Sequence, residues 1–175
     1  LASQAGMSVL ERGGNAFDAA VATGFTLQVV EPHLNGPGGE VPAIFYSAVE
    51  DEVRVLCGQG VAPERATIEA FRELGHDLVP GTGVLAACVP GAFGAWLLLL
   101  RDFGTWRLED VLEIAIGYAE RGFPLVRGIR MTIDRTEEVL ATWPGSRDLY
   151  LPAPEVGALF RNPALAATYR RIVDE

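Results

Sequence analysis

Apolar residues in the first thirty positions recur on almost every side of a helix. In AFDAAVATGFTLQVV, residues 16–30, only Asp18, Thr23, Thr26 and Gln28 are polar. A helix with so little polar surface is buried nearly all round, inside a layered domain. The spacing predicts two helices here. The first ends at Gly13-Gly14, because glycine tolerates the left-handed backbone that follows a helix C-terminus. Asn15 then caps the second, with Asp18 three residues on as the acid of a short capping box.

Beyond EPHLNGPGGE, a loop rich in glycine and proline, the period shortens. VPAIFYSAV (41–49) and EVRVLCG (52–58) are rich in β-branched and aromatic residues and flank Glu50-Asp51. They read as a hairpin of central antiparallel strands. Helical spacing returns at 67–75, 91–104, 108–122 and 128–143, with a short strand expected at 84–89. Residues 144–163 read as loop, and 164–175 as a helix running to the last residue. The fold class is therefore α+β, with buried helices packed on antiparallel strands.

Composition narrows the function classes. The chain has 175 residues, 49% of them hydrophobic, enough for one core. Its net charge is −9, it has no lysine, and its fourteen arginines are scattered rather than gathered into a stripe. No nucleic-acid partner is expected. The most apolar stretch, GAFGAWLLLL at 91–100, is about half the roughly 20 residues that cross a bilayer, so no membrane span is expected. Cys57 and Cys88 lie in apolar contexts that suit small buried hydrophobes. His33 and His76 have no partners at ligand spacing, so neither a metal nor a cofactor is anticipated. The chain opens on Leu1, not methionine, and ends without a helix stop signal. We expect residues 1–175 to be a single incomplete domain of a longer protein, of unknown localisation.

Local motifs give little chemistry. No serine stands in G-x-S-x-G. NGPGGE precedes a strand instead of following one, the reverse of a dinucleotide fingerprint. What remains is a glycine-rich loop whose backbone N–H groups could face a ligand. After the second strand, Gly58-Gln59-Gly60 could line a site or merely turn the chain.

GGNAFDAAVA (13–22) and VVEPHLNGPGG (29–39) resemble the start of the γ-glutamyltransferase (γ-glutamyltranspeptidase) family of N-terminal nucleophile (Ntn) hydrolases. VAPERAT (61–67), VPGAFGAW (89–96), FGTWRLEDVLEIAIGYAERGFPL (103–125) and LFRNPALAATYRRI (159–172) follow in the family's order. The resemblance covers essentially the whole chain. It implies a four-layer αββα sandwich and a precursor that cuts itself into large and small subunits. The new N-terminal threonine of the small subunit is the nucleophile, activated by its own α-amine. None of the threonines here lies in the matching motif, so this chain is expected to be large-subunit sequence with no catalytic residue and no activity alone. Its implied partners are a small subunit carrying the threonine and a γ-glutamyl or related acyl-amide substrate, as in glutathione metabolism. A homo-oligomer is a further expectation, because a lone hairpin leaves sheet edges open.

One departure bears on specificity. The family block resembles F-R-E-x-A-P, whose arginine takes the α-carboxylate of the γ-glutamyl group as a planar fork. Aligned on Ala62-Pro63, Gln59 replaces that arginine and Gly60 the glutamate. Gln59 is the expected substrate-binding residue, with Gly38, Gly39, Gly58 and Gly60 as pocket backbone. Glu40, where the family continues in glycine, is a pocket residue or a surface acid. The missing arginine favours an acylase of the cephalosporin or glutaryl-amide type at least as much as a glutathione-type enzyme. The alternative in another class is a catalytically inactive paralogue or stand-alone binding or assembly domain.

Overall fold

The computed structural model describes residues 1–175, which form two compact units: Leu1–Gly36 with Leu97–Glu175, and Pro37–Trp96. The fold is α+β, predominantly helical, with two small antiparallel ladders.

The first unit is built round α2 (Ala16–Val30). Asn15 Oδ1 accepts from the backbone N–H groups of Phe17 and Asp18, at 2.8 and 3.0 Å, and Asp18 Oδ2 accepts from Asn15 N at 2.8 Å. This is the expected capping box, which satisfies donors that a helix start leaves unpaired. Upstream, Gly13 has φ +89°, a conformation open to glycine but costly for other residues. A Cβ on Gly14 would meet Val9 Cγ1 at 2.5 Å and Trp106 Nε1 at 3.1 Å. The sequence GGNAFD is thus a helix entry in which nearly every residue has a separate structural reason.

α1 (Ala2–Glu11) crosses α2 at Gly6, where a Cβ would lie 2.3 Å from Thr23 Oγ1. α5 (Leu108–Arg121) covers another side of α2, and α8 (Pro163–Asp174) packs on α5. Val9, Val21, Ala22, Phe25, Val111, Leu112, Ala115 and Ala119 form the buried centre. Phe25 meets Tyr169 of α8 edge-on, with centroids 5.9 Å apart, and Tyr169 Oη donates to Gln28 Oε1 at 2.6 Å. Tyr169 is fully buried, and desolvation raises its phenol far above its ordinary pKa.

α5 stops at Gly122, φ +95°, and the two-residue strand β3 (Phe123–Pro124) pairs with β4 (Leu159–Phe160). Between them lie α6 (Arg127–Thr142) and α7 (Pro144–Tyr150). The 144–163 segment is therefore not all loop. Proline serves as the first residue of α7, where its missing N–H costs nothing.

In the second unit, β1 (Val41–Ser47) and β2 (Glu52–Gly58) form the expected hairpin, in register from Val41↔Gly58 to Ser47↔Glu52. Tyr46 Oη donates to Asp51 Oδ1 at 2.5 Å, and Arg54 pairs with Glu50 and Glu52 across the turn end. α3 (Ile68–Glu73) is capped by Thr67, whose hydroxyl oxygen accepts from Ala70 N. The strand expected at 84–89 is instead a 3₁₀ turn at Val84–Ala86, entered through Gly83 at φ +85°. The turn and Pro90 leave no run long enough to pair. α4 (Ala92–Phe103) completes the order. Cys57 and Cys88 are both exposed, contrary to their apolar neighbours. On a strand, alternate side chains face opposite ways, so apolar neighbours did not guarantee burial of Cys57.

Candidate functional site

The candidate site lies in the second unit where β2 ends. Gly58 is buried at the last position of the ladder, and a Cβ there would lie 2.4 Å from Ala95 Cβ and 2.7 Å from Val41 O. At Gly60 a Cβ would fall 1.8 Å from Val89 O, and at Gly91 one would fall 2.3 Å from Gly58 O. Two backbone segments, 58–60 and 89–91, therefore run in direct contact, and a side chain at Gly60 or Gly91 would separate them, whereas one at Gly58 would push against Ala95 and Val41. Val89 N donates to Val61 O at 2.9 Å. A third segment joins them, since Gly39 O accepts from Gly91 N and Ala92 N at 3.2 and 3.0 Å.

Gln59 projects from this junction. Its side chain is exposed, and Cys57 Sγ lies 3.8 Å from Gln59 Oε1. An amide so placed offers a donor and an acceptor to a ligand, but no charge. Gly39, Gly58 and Gly60 are thus brought together around Gln59. Gly38 stands apart in its packing, because a Cβ there would have nothing within 4 Å. Close approach of backbone does not require glycine at 38. Glu40 is exposed. Sequence reasoning missed Gly91 and the carbonyl of Val89. Their only signal was the VPGAFG block itself, which lies thirty residues from the strand it touches.

A heavily bonded buried carboxylate lies elsewhere. Asp18, wholly buried, accepts from Asn15 N, Thr105 N at 2.8 Å, Thr105 Oγ1 at 2.7 Å and Trp106 N at 3.0 Å. Burial acts to raise its pKa, but the hydrogen bonds from Thr105, Asn15 and Trp106 outweigh it and hold the carboxyl below the ordinary range. With every oxygen engaged, Asp18 is a fastener between the start of α2 and the 104–106 turn, and has no lone pair directed at a substrate. A Cβ on Gly104 would sit 2.7 Å from Asp18 Oδ1, so that glycine lets the turn close over the carboxylate.

No group of three or more His, Cys, Asp or Glu side chains is arranged to hold a metal ion, and no helix is long and apolar enough to cross a membrane.

The gamma-glutamyltranspeptidase family model matches residues 2–175. The glutathione hydrolase-like YwrD proenzyme of Bacillus subtilis is 35% identical over the whole of this chain, which covers 34% of that protein. Among solved structures, LmbA2991HD is 58% identical with a TM-score of 0.94, over 99% of this chain and 30% of its own. A cephalosporin acylase from Bacillus halodurans is 36% identical with a TM-score of 0.90, over 99% of this chain and 34% of its own. The chain spans about a third of the length of these relatives.

Proposed function

The chain belongs to the gamma-glutamyltranspeptidase family, and from that premise we propose that it forms the large-subunit part of an Ntn-hydrolase proenzyme, as a single incomplete domain. The reaction is hydrolysis or transfer of an acyl group held in an amide. The nucleophile is a threonine outside these residues, freed as the N-terminus of a small subunit by self-cleavage and activated by its own amine. Oxyanion donors then stabilise the tetrahedral intermediate. The 175-residue chain by itself has no turnover.

This chain contributes one wall of the acyl pocket. The observation that carries this reading is Gln59, mounted on the 58–60, 89–91 junction at the position where the family resemblance places an arginine. Gly39 supplies pocket backbone through its carbonyl on Gly91 N and Ala92 N, with Gly38 preceding it in the loop. Without the guanidinium, a free α-carboxylate on the acyl group gains no charge-assisted pair. That contact is worth ~1.5–3 kcal/mol, or roughly 10- to 150-fold in affinity. The preferred acyl group therefore lacks the α-amino-acid carboxylate of a γ-glutamyl donor.

The test uses the full-length precursor. It is incubated, the N-terminus of any small product is determined by intact mass, and γ-glutamyl amides are compared with 4-aminobutanoyl amides, which keep the amine and lack the carboxylate. A new N-terminal threonine and a preference for 4-aminobutanoyl amides, which lack the carboxylate, are expected. Gln59→Arg should move kcat/KM toward γ-glutamyl donors by about tenfold or more. A precursor that folds but stays uncut would shift the assignment to an inactive paralogue. A Gln59→Arg enzyme with unchanged donor preference would remove Gln59 from the pocket.

A further inference from the structure

Two polar side chains emerge together where the hairpin ends. Glu40 stands between two anchored residues, since Gly39 O accepts from Gly91 N and Ala92 N and Val41 pairs with Gly58. Gln59 stands between Gly58 and Gly60, which lie too close to Val41 O and Val89 O to admit a Cβ. The ladder runs from Ser47↔Glu52 to Val41↔Gly58, and its register continued by one step sets Glu40 opposite Gln59. Residues opposite one another in an antiparallel pair share a face, with Cβ atoms about 5 Å apart. Both are exposed. One face of the hairpin end therefore presents a carboxylate beside a neutral amide, each held on a fixed stretch of backbone.

Glu40 differs from the other acids of the hairpin. Glu50 and Glu52 are paired with Arg54, and Asp51 accepts from Tyr46 Oη. Glu40 has neither an ion pair nor a side-chain hydrogen bond. The residue opposite it, Gln59, is an amide and carries no charge to offset it. An uncompensated carboxylate at this place attracts a cation and repels an anion.

We propose that Glu40 determines specificity by taking a terminal ammonium on the acyl group, so that the substrates are amides of ω-amino acyl groups. The inference rests on the acyl-pocket reading of Gln59 and narrows it. An ammonium gives the Glu40 carboxylate the charge-assisted hydrogen bond it lacks within the chain. A glutaryl group of the same length would bring a second carboxylate against the first and is disfavoured. Gln59, which can donate or accept, favours neither charge, so the choice between them falls to Glu40.

The test compares three anilides on the full-length protein after incubation. The 4-aminobutanoyl, pentanoyl and glutaryl groups share a chain of three methylenes and end in ammonium, methyl and carboxylate. The kcat/KM order should follow that sequence, with ammonium about tenfold over methyl at low salt. The preference should shrink at about 0.5 M NaCl, where screening reaches within a few ångströms. Glu40→Gln should bring the ammonium-to-methyl ratio close to one, and Glu40→Lys should place glutaryl first. Gln59→Arg separates this inference from the reading beneath it. If Gln59→Arg moves preference toward γ-glutamyl donors while Glu40→Gln leaves the ammonium-to-methyl ratio unchanged, Glu40 is overturned and the pocket stands. A wild-type enzyme that does not prefer ammonium to methyl also overturns it. A precursor that stays uncut, or ratios that neither variant moves, would overturn both.

Discussion

Asp18 shows how one side chain can serve the fold through its charge alone. Four donors converge on its carboxylate, three of them from residues 105 and 106. Asp18→Asn would keep the shape but turn an N–H₂ toward some of those donors, and should cost about 2–4 kcal/mol of unfolding free energy. The sign of the pH dependence follows from the lowered pKa. Because the folded value lies below the unfolded one near 3.9, the contribution is complete above about pH 4 and is lost as pH falls through the folded pKa. Denaturant titrations should show a gap between wild type and Asp18→Asn that is constant at neutral pH and narrows below about pH 4. A gap independent of pH would mean that the charge is not what matters. At this scale the sequence was half legible. Asn15 and Asp18 announced their cap by spacing alone, whereas Thr105 and Trp106 carry no local sign of a partner 87 and 88 positions away. Gln59 stood out only against a family resemblance, since one exposed amide after a strand has no physical signature of its own.

The longer helices were legible as elements where a glycine or a cap marks a stop or start. Gly13 and Gly122, both with positive φ, end α1 and α5 where glycine punctuates the apolar spacing. What escaped were elements too short for any period. β3 and β4 are two residues each, held by the Phe123–Phe160 contact at 5.7 Å, and α7 is seven residues begun by a proline that reads equally well as a loop. Packing between distant elements decides those cases. The same holds for α8, which was plain as a helix but whose docking, which includes the buried bond from Tyr169 Oη to Gln28 Oε1, was not. Tyr169→Phe keeps the ring against Phe25 and strands the Gln28 carbonyl without its donor. It should cost about 1–2 kcal/mol in denaturant unfolding of the full-length protein. Tyr169→Phe with Gln28→Leu should recover part of the loss, because replacing both partners by apolar groups removes the unsatisfied acceptor. No recovery in the double variant would place the cost in packing and not in the hydrogen bond.

For the whole molecule, the hairpin makes the strongest statement. Pairing sets Ile44 opposite Val55 and Tyr46 opposite Val53, so these four share one face of the sheet. Ile44 and Val55 are each 73% exposed, while the alternate residues Ala43, Phe45 and Leu56 are half-buried. Strands apolar on both faces belong in the middle of a layered protein, and this chain covers only about a third of its relatives' length. We therefore expect the outer face to be covered in the full-length protein and bare in the 175-residue chain. The two contexts give opposite signs for one substitution pair. In the isolated chain, Ile44→Glu with Val55→Glu should convert a self-associating species into a monomer in sedimentation velocity at micromolar concentration, because it removes an apolar patch that seeks cover. In the full-length protein the same pair would bury two carboxylates and should lower stability by several kcal/mol. A wild-type chain that stays monomeric, together with a full-length protein indifferent to both glutamates, would mean that this face is solvent-exposed by design and that the sandwich closes elsewhere.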